Sequence, residues 1–188
     1  MKITIFTILA ILLLLHGSSA QSKSNDAITS QIRVLRNDKS ITLTYDENGK
    51  TSKLMVVSEN FSDREADNAG IQAMNFAIGF FYPGKELTTA PDPILLTFWV
   101  LTKKPRFSAD HSLVITLGEE TVVIGQARYV SKPREDLEYL NFQVTREQLG
   151  KIAMHSDVSF RLGGEKFTFT KGHLRSFANL LIISDPTQ

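Results

Sequence analysis

The sequence contains no cysteine and a single tryptophan, and its 21 lysines and arginines are offset by 20 aspartates and glutamates. Without cysteine the chain has no disulfide, no thiolate ligand or nucleophile, and no site for a cysteine-linked lipid anchor. The near-zero net charge speaks against nucleic acid as a partner, because proteins that neutralise phosphates show a basic excess gathered on one face. Histidine is scarce as well. Beyond the first twenty residues only His111, His155 and His173 remain, separated by forty-four and eighteen residues. Those separations match no helical or loop spacing of metal ligands, so neither a metal site nor a cofactor is expected. A phosphate-binding loop and a Gly-x-Ser-x-Gly elbow are also missing, and Gly163-Gly164 reads as a turn.

One stretch is both long and apolar. It covers residues 3–15, follows Lys2 and precedes His16-Gly17-Ser18-Ser19-Ala20. A basic start, a short apolar core and small residues before a polar segment predict a secretory signal peptide, cut after Ala20. A membrane-spanning helix needs about 20 apolar residues, more than this stretch offers. The expected product is an exported protein, periplasmic or secreted, with no transmembrane segment in its mature form. Residues 21–31 are polar and aperiodic and are expected to be a flexible leader, and 32–184 a single β-rich domain.

What the chain does have is a series of short alternating apolar stretches. The dominant one, residues 94–102, lies between Pro93 and Pro105 and has Trp99 at its centre. Its length and its β-branched and aromatic side chains predict a central strand. Ile94, Leu96, Phe98 and Val100 alternate with Leu95, Thr97, Trp99 and Leu101, so both faces are expected to be covered. Hairpins are predicted at 40–58, turning through Asn48-Gly49, at 112–130, with a bulge at Gly125-Gln126, and at 158–169, turning through Gly163-Gly164. A strand at 74–80 and one at 137–144, with Leu140, Phe142 and Val144 inward, complete the set. Ser62 and Thr145 are placed to cap short helices, with Glu65 and Gln148 three residues on. Leu174, Phe177, Leu180 and Leu181 give 171–182 a helical apolar stripe. The expected fold is mainly β and sandwich-like, built of antiparallel hairpins with two or three short helices including a C-terminal amphipathic one. The alternative is an α+β fold with one curved antiparallel sheet wrapped on that helix.

Two loops carry candidate chemistry. Ser108, Asp110 and His111 supply the residue types of a nucleophile, orienter and base, although a working triad draws its members from separate elements and turn capping explains the same residues. Lys103, Lys104 and Arg106, with Phe107 beside them and Lys132, Arg134 and Tyr129 further on, form the one basic concentration. It would suit an anionic head group, a glycan or an acidic protein. Asn60-Phe61-Ser62 has the form of a glycosylation acceptor. The resulting expectation is a non-enzymatic binding or structural domain of the cell envelope or extracellular space, with an unknown protein or glycan partner. The alternative is a small secreted hydrolase with a site assembled around Asp110 and His111.

Overall fold

The computed structural model describes residues 38–187. The expected signal peptide, the leader and the start of the predicted domain at 32–37 lie outside the described residues. Lys39–Pro186 form one unit. Its first hairpin joins β1 (Ile41–Asp46) to β2 (Thr51–Val57), with Asp46 opposite Thr51. The positive φ of its turn falls on Lys50, at 47°, and not on the Asn-Gly pair. Helix α1 (Asp63–Asn68) begins where the sequence places it: the Ser62 hydroxyl accepts from Glu65 N at 3.4 Å and donates to the Glu65 carboxylate at 3.0 Å.

β3 (Ala73–Pro83) and β4 (Ile94–Leu101) continue the first sheet, and β5 (Ser112–Leu117) and β6 (Glu120–Gln126) open a second. Here one expectation is corrected. The predicted strand 121–130 is two strands in two sheets, because the chain leaves β6 at Ala127 and enters β7 (Arg128–Lys132) beside β8 (Leu137–Val144). The cause is local. Register slips between Leu113 and Val114, and opposite the slip Gly125 takes φ 113°, which side chains rarely tolerate, so the strand bends out of its sheet. The last hairpin pairs β9 (Val158–Leu162) with β10 (Glu165–Thr168), and both residues of its Gly163-Gly164 turn have positive φ.

The result is a six-stranded antiparallel sheet, ordered β1-β2-β3-β4-β8-β7, and a four-stranded one, ordered β10-β9-β5-β6. The protein is mainly β, as the alternation predicts. Met74, Phe76, Ile78, Ile94, Leu96, Phe98 and Val100 from the larger sheet meet Leu113, Ile115, Phe160 and Phe167 from the smaller, all at 2% exposure or less. Phe98 and Phe160 touch across the sheets with ring centroids 5.3 Å apart. The opposite face of β4 departs from expectation. Leu95, Trp99 and Leu101 are only half-buried, and among the described residues the outer face of the six-stranded sheet is open.

Two further helices close the core, and among the described residues no helix is long and apolar enough to cross a membrane. α2 (Arg146–Met154) starts with the predicted reciprocal cap of Thr145 and Gln148. α3 (Lys171–Ile183) starts with one that residue types alone do not advertise, since His173 stands where Glu or Gln is usual. Its Nδ1 accepts from Thr170 N at 3.1 Å and its Nε2 lies 3.1 Å from Glu59 O. An amide can only donate and a carbonyl only accept, so the ring is neutral with its proton on Nε2. The side chain has no exposed surface, and burial holds its pKa below the ordinary 6.5. The unfolded chain therefore binds a proton that the folded one refuses as pH falls below 6.5. Stability attributable to His173 is complete above that pH and declines below it, by at most about 1.4 kcal/mol per pH unit, until the folded pKa is passed. Denaturation midpoints measured from neutral to mildly acid pH are expected to fall more steeply for the native protein than for His173→Gln. Parallel curves would sink the assignment.

Candidate functional site

Loop 102–111 carries the chain from β4 in one sheet to β5 in the other and holds most of the residues that the sequence nominates. A buried carboxylate fixes it. Glu138 shares the inward phase of Leu140, Phe142 and Val144 on β8 and is 1% exposed. Its Oε2 accepts from Arg106 N at 2.9 Å, and its Oε1 accepts from Phe107 N at 3.2 Å and from the Tyr129 hydroxyl at 2.7 Å. Burial, and next that carboxylate, raises the Tyr129 pKa above its ordinary 10.0.

Held in this way, Phe107 enters the core and keeps no exposed surface. Its placement on a binding surface is corrected: burying a phenylalanine gains about 1.5–3 kcal/mol, which a solvated ring forgoes. The ring packs against Gly163, where an added Cβ would come within 2.8 Å of it and 2.3 Å of Asp110 O. Arg106 also turns back on the fold, its Nε donating to Ala69 O at 2.9 Å and its Nη2 to Glu165 at 3.0 Å. Lys103 and Lys104 stay exposed, Arg134 is exposed, and Lys132 pairs with Glu135 at 3.3 Å. Thr102, Lys103 and Pro105 with Ser131, Pro133 and residues 136–138 line a space of about 30 Å³. That is room for a water molecule or two, not for a ligand.

Ser108, Asp110 and His111 share this loop but are not joined in a chain of hydrogen bonds. Asp110 Oδ1 accepts from Ser112 N at 2.9 Å, closing a turn. That amide, with the Ser112 hydroxyl next, holds the Asp110 carboxyl below its ordinary pKa of 3.8. The His111 ring stacks on Tyr129 at 5.7 Å, and its buried Nδ1 has no hydrogen-bond partner among the described residues. Ser108 is exposed. His155 takes the helix C-terminus, Nδ1 lying 2.7 Å from Lys151 O. Among the described residues no three histidine, aspartate or glutamate side chains gather to hold a metal ion.

A different constellation lies on the open face of the larger sheet. Residues opposite one another in antiparallel register share a face. One row across β3, β4, β8 and β7 therefore reads Asn75, Trp99, Tyr139, Val130, and the next reads Ala77, Thr97, Asn141, Arg128. Asn75, Trp99 and Tyr139 are half-buried, whereas Arg128 is exposed and Val130 is 40% exposed. Thr97 donates to Asn141 Oδ1 at 2.9 Å and Asn141 Nδ2 donates to Arg128 O at 3.1 Å, so the amide's orientation is set. Two shallow depressions flank β4. One, of about 190 Å³, is lined by Thr42, Thr44, Lys53, Met55 and Trp99 among others. The second, of about 620 Å³, lies where this face meets β6 of the smaller sheet at the β7 edge, lined by Leu95, Arg128, Asn141 and Gln143 on one side and by Ile124 and Gln126 on the other.

Sequence reasoning missed this face because β4 is apolar on both sides, so alternation does not say which side is outward. The usable signal was on β8, where Tyr139, Asn141 and Gln143 alternate with Glu138, Leu140 and Phe142 and mark the same face as polar and aromatic. Comparison of the chain with protein-family models, with curated proteins and with solved structures finds no match.

Proposed function

We propose that this chain is an exported, non-enzymatic saccharide-binding domain whose ligand lies on the open face of the six-stranded sheet. The observation that carries this reading is the pair Trp99 and Tyr139, side by side in register and half-buried, with the side-chain amides of Asn75 and Asn141 next to them and that of Gln143 two rows further along the face. A sugar ring presents C–H groups on its faces and hydroxyls at its rim. Aromatic side chains take the first, and amides, which both donate and accept, take the second. A shallow, open surface accommodates an extended chain of such rings, whereas hydrolysis would need an acid and a base aimed at one bond. The signal-peptide pattern of residues 1–20 supports export, where polysaccharides are met.

Because Trp99 is the only tryptophan, its fluorescence reports from this surface alone. Titration with a binding polysaccharide is expected to shift or quench that emission. Tyr139→Ala, which leaves the reporter in place, is expected to weaken binding by about tenfold or more, the effect of removing an aromatic anchor worth about 1.4 kcal/mol. Unchanged emission across a broad polysaccharide panel would overturn the proposal.

A further inference from the structure

Charge is distributed unevenly over the open face, and this narrows the ligand class. The outward positions of β2, β3, β4, β8 and β7, identified by cross-strand register, include three cations: Lys53, Arg128 and Lys132. With β1 counted, the one carboxylate at an outward position of the sheet is Asp46 at the strand's end, opposite Thr51, where it accepts from Asn48 N at 3.0 Å, although the whole chain is nearly balanced, with 21 basic and 20 acidic residues. Acids are confined to the rim. Asp46 and Glu47 sit by the β1–β2 turn, Glu135 and Asp136 lie beyond β7, and the one glutamate of β8, Glu138, is buried on the opposite side. Lys132 is held by Glu135 at 3.3 Å. Lys53 and Arg128 have no carboxylate within ion-pair distance among the described residues.

These two cations occupy the two depressions. Lys53 lines the one that contains Trp99, its Nζ held 5.7 Å from the Phe81 ring centroid, and Arg128 lines the other beside Asn141 and Gln143. Four strand-to-strand steps separate β2 from β7. At about 4.8 Å per step the two strands lie about 19 Å apart, and the register offsets Lys53 and Arg128 by a further four residues, about 13 Å along the strands, a separation that suits repeated charges on a polymer better than one small anion. We infer that the saccharide is a carboxylated one, a chain of uronic-acid units laid obliquely across the strands, with Lys53 and Arg128 each facing a carboxylate and the Trp99–Tyr139 pair, one row beyond Arg128, packing against sugar rings. This rests on the saccharide reading above. Two available cations are too few to hold a nucleic acid, whose affinity grows with the number of phosphates neutralised. An acidic peptide would have little use for the aromatic pair and its amides.

The test is titration of the full chain, followed by Trp99 emission and by calorimetry, with polygalacturonate, alginate, fully methyl-esterified polygalacturonate, neutral glucans and polyaspartate. Binding of at least one uronate polymer is expected, weakened by added salt and by esterification. Lys53→Gln and Arg128→Gln, both at solvated positions, are each expected to weaken it by about fivefold. If the esterified polymer or a neutral glucan binds as tightly and the two variants are without effect, the inference falls and the saccharide reading stands. If no polysaccharide binds, both fall. Polyaspartate binding as well as the uronates, with Trp99 emission unchanged, would identify the surface as a plain cation patch and overturn the inference.

Discussion

Phe61→Ala is expected to destabilise the protein by about 3–5 kcal/mol, a large share of the 5–15 kcal/mol that a domain of this size possesses. Phe61 lies in the connection between β2 and α1, yet it is 3% exposed and stands where both sheets and α3 meet. Its ring centroid is 6.2 Å from Phe76 and 6.4 Å from Phe98 in the larger sheet, 5.4 Å from Phe160 and 5.9 Å from Phe167 in the smaller, and 4.2 Å from His173 on α3. Truncation would leave a void bounded by three separate layers, and rigid strands on two sides cannot both collapse into it. Urea denaturation of the native protein and the variant measures the cost. Phe81→Ala, which removes a ring that is 58% exposed, is the control and should cost less than about 1 kcal/mol. Equal losses in the two variants would show that Phe61 is not the junction of the core.

That Phe61 matters so much could not be read from its neighbours in sequence. Asn60-Phe61-Ser62 has no period, and its visible feature is the form of a glycosylation acceptor, while the Ser62 hydroxyl is engaged in capping α1. What was legible is local: the Gly163-Gly164 turn, the Thr145 and Gln148 cap, the Ser62 cap and the inward phase of Leu140, Phe142 and Val144. Each depends on residues within a few positions of one another, where backbone preferences act directly. Facts that depend on distant parts of the chain were lost. Trp99 sits at the centre of the most apolar stretch, and it belongs to the outer surface because the smaller sheet packs on Ile94, Leu96, Phe98 and Val100 instead. Phe107 read as the aromatic member of a basic loop and lies in the core, because the acceptor that holds its backbone comes from a strand thirty-one residues later. The candidate saccharide surface is likewise assembled across β1 to β4, β7 and β8, and no segment of the sequence contains more than a fraction of it.

Glu138→Ala is expected to cost about 3 kcal/mol or more, through the partners it abandons rather than through its own packing. The carboxylate accepts from three donors, Arg106 N, Phe107 N and the Tyr129 hydroxyl. Each buried donor left without a partner costs about 1–3 kcal/mol, and the two amides cannot turn away as a hydroxyl can. Glu138→Gln separates this from a volume effect, since it fills the same space. Its amide carbonyl can serve either Arg106 N or the pair Phe107 N and Tyr129, but its NH₂ must then face a backbone N–H, so one amide is always left against a donor. The glutamine variant should therefore lose about 1–3 kcal/mol and the alanine variant more. Tyr129→Phe, which leaves both amides satisfied, should lose the least of the three. The readout is again urea denaturation, and an order in which glutamine is as stable as glutamate would mean that Glu138 is tolerated in the interior without holding loop 102–111. The predicted order means more than stability alone: that loop joins the two sheets, so a single inward carboxylate on β8 would fix the path by which β5 is delivered to the second sheet. Glu138 is in phase with three apolar core positions, and a polar exception of this kind within an apolar alternation is the mark that such an anchor leaves in a sequence.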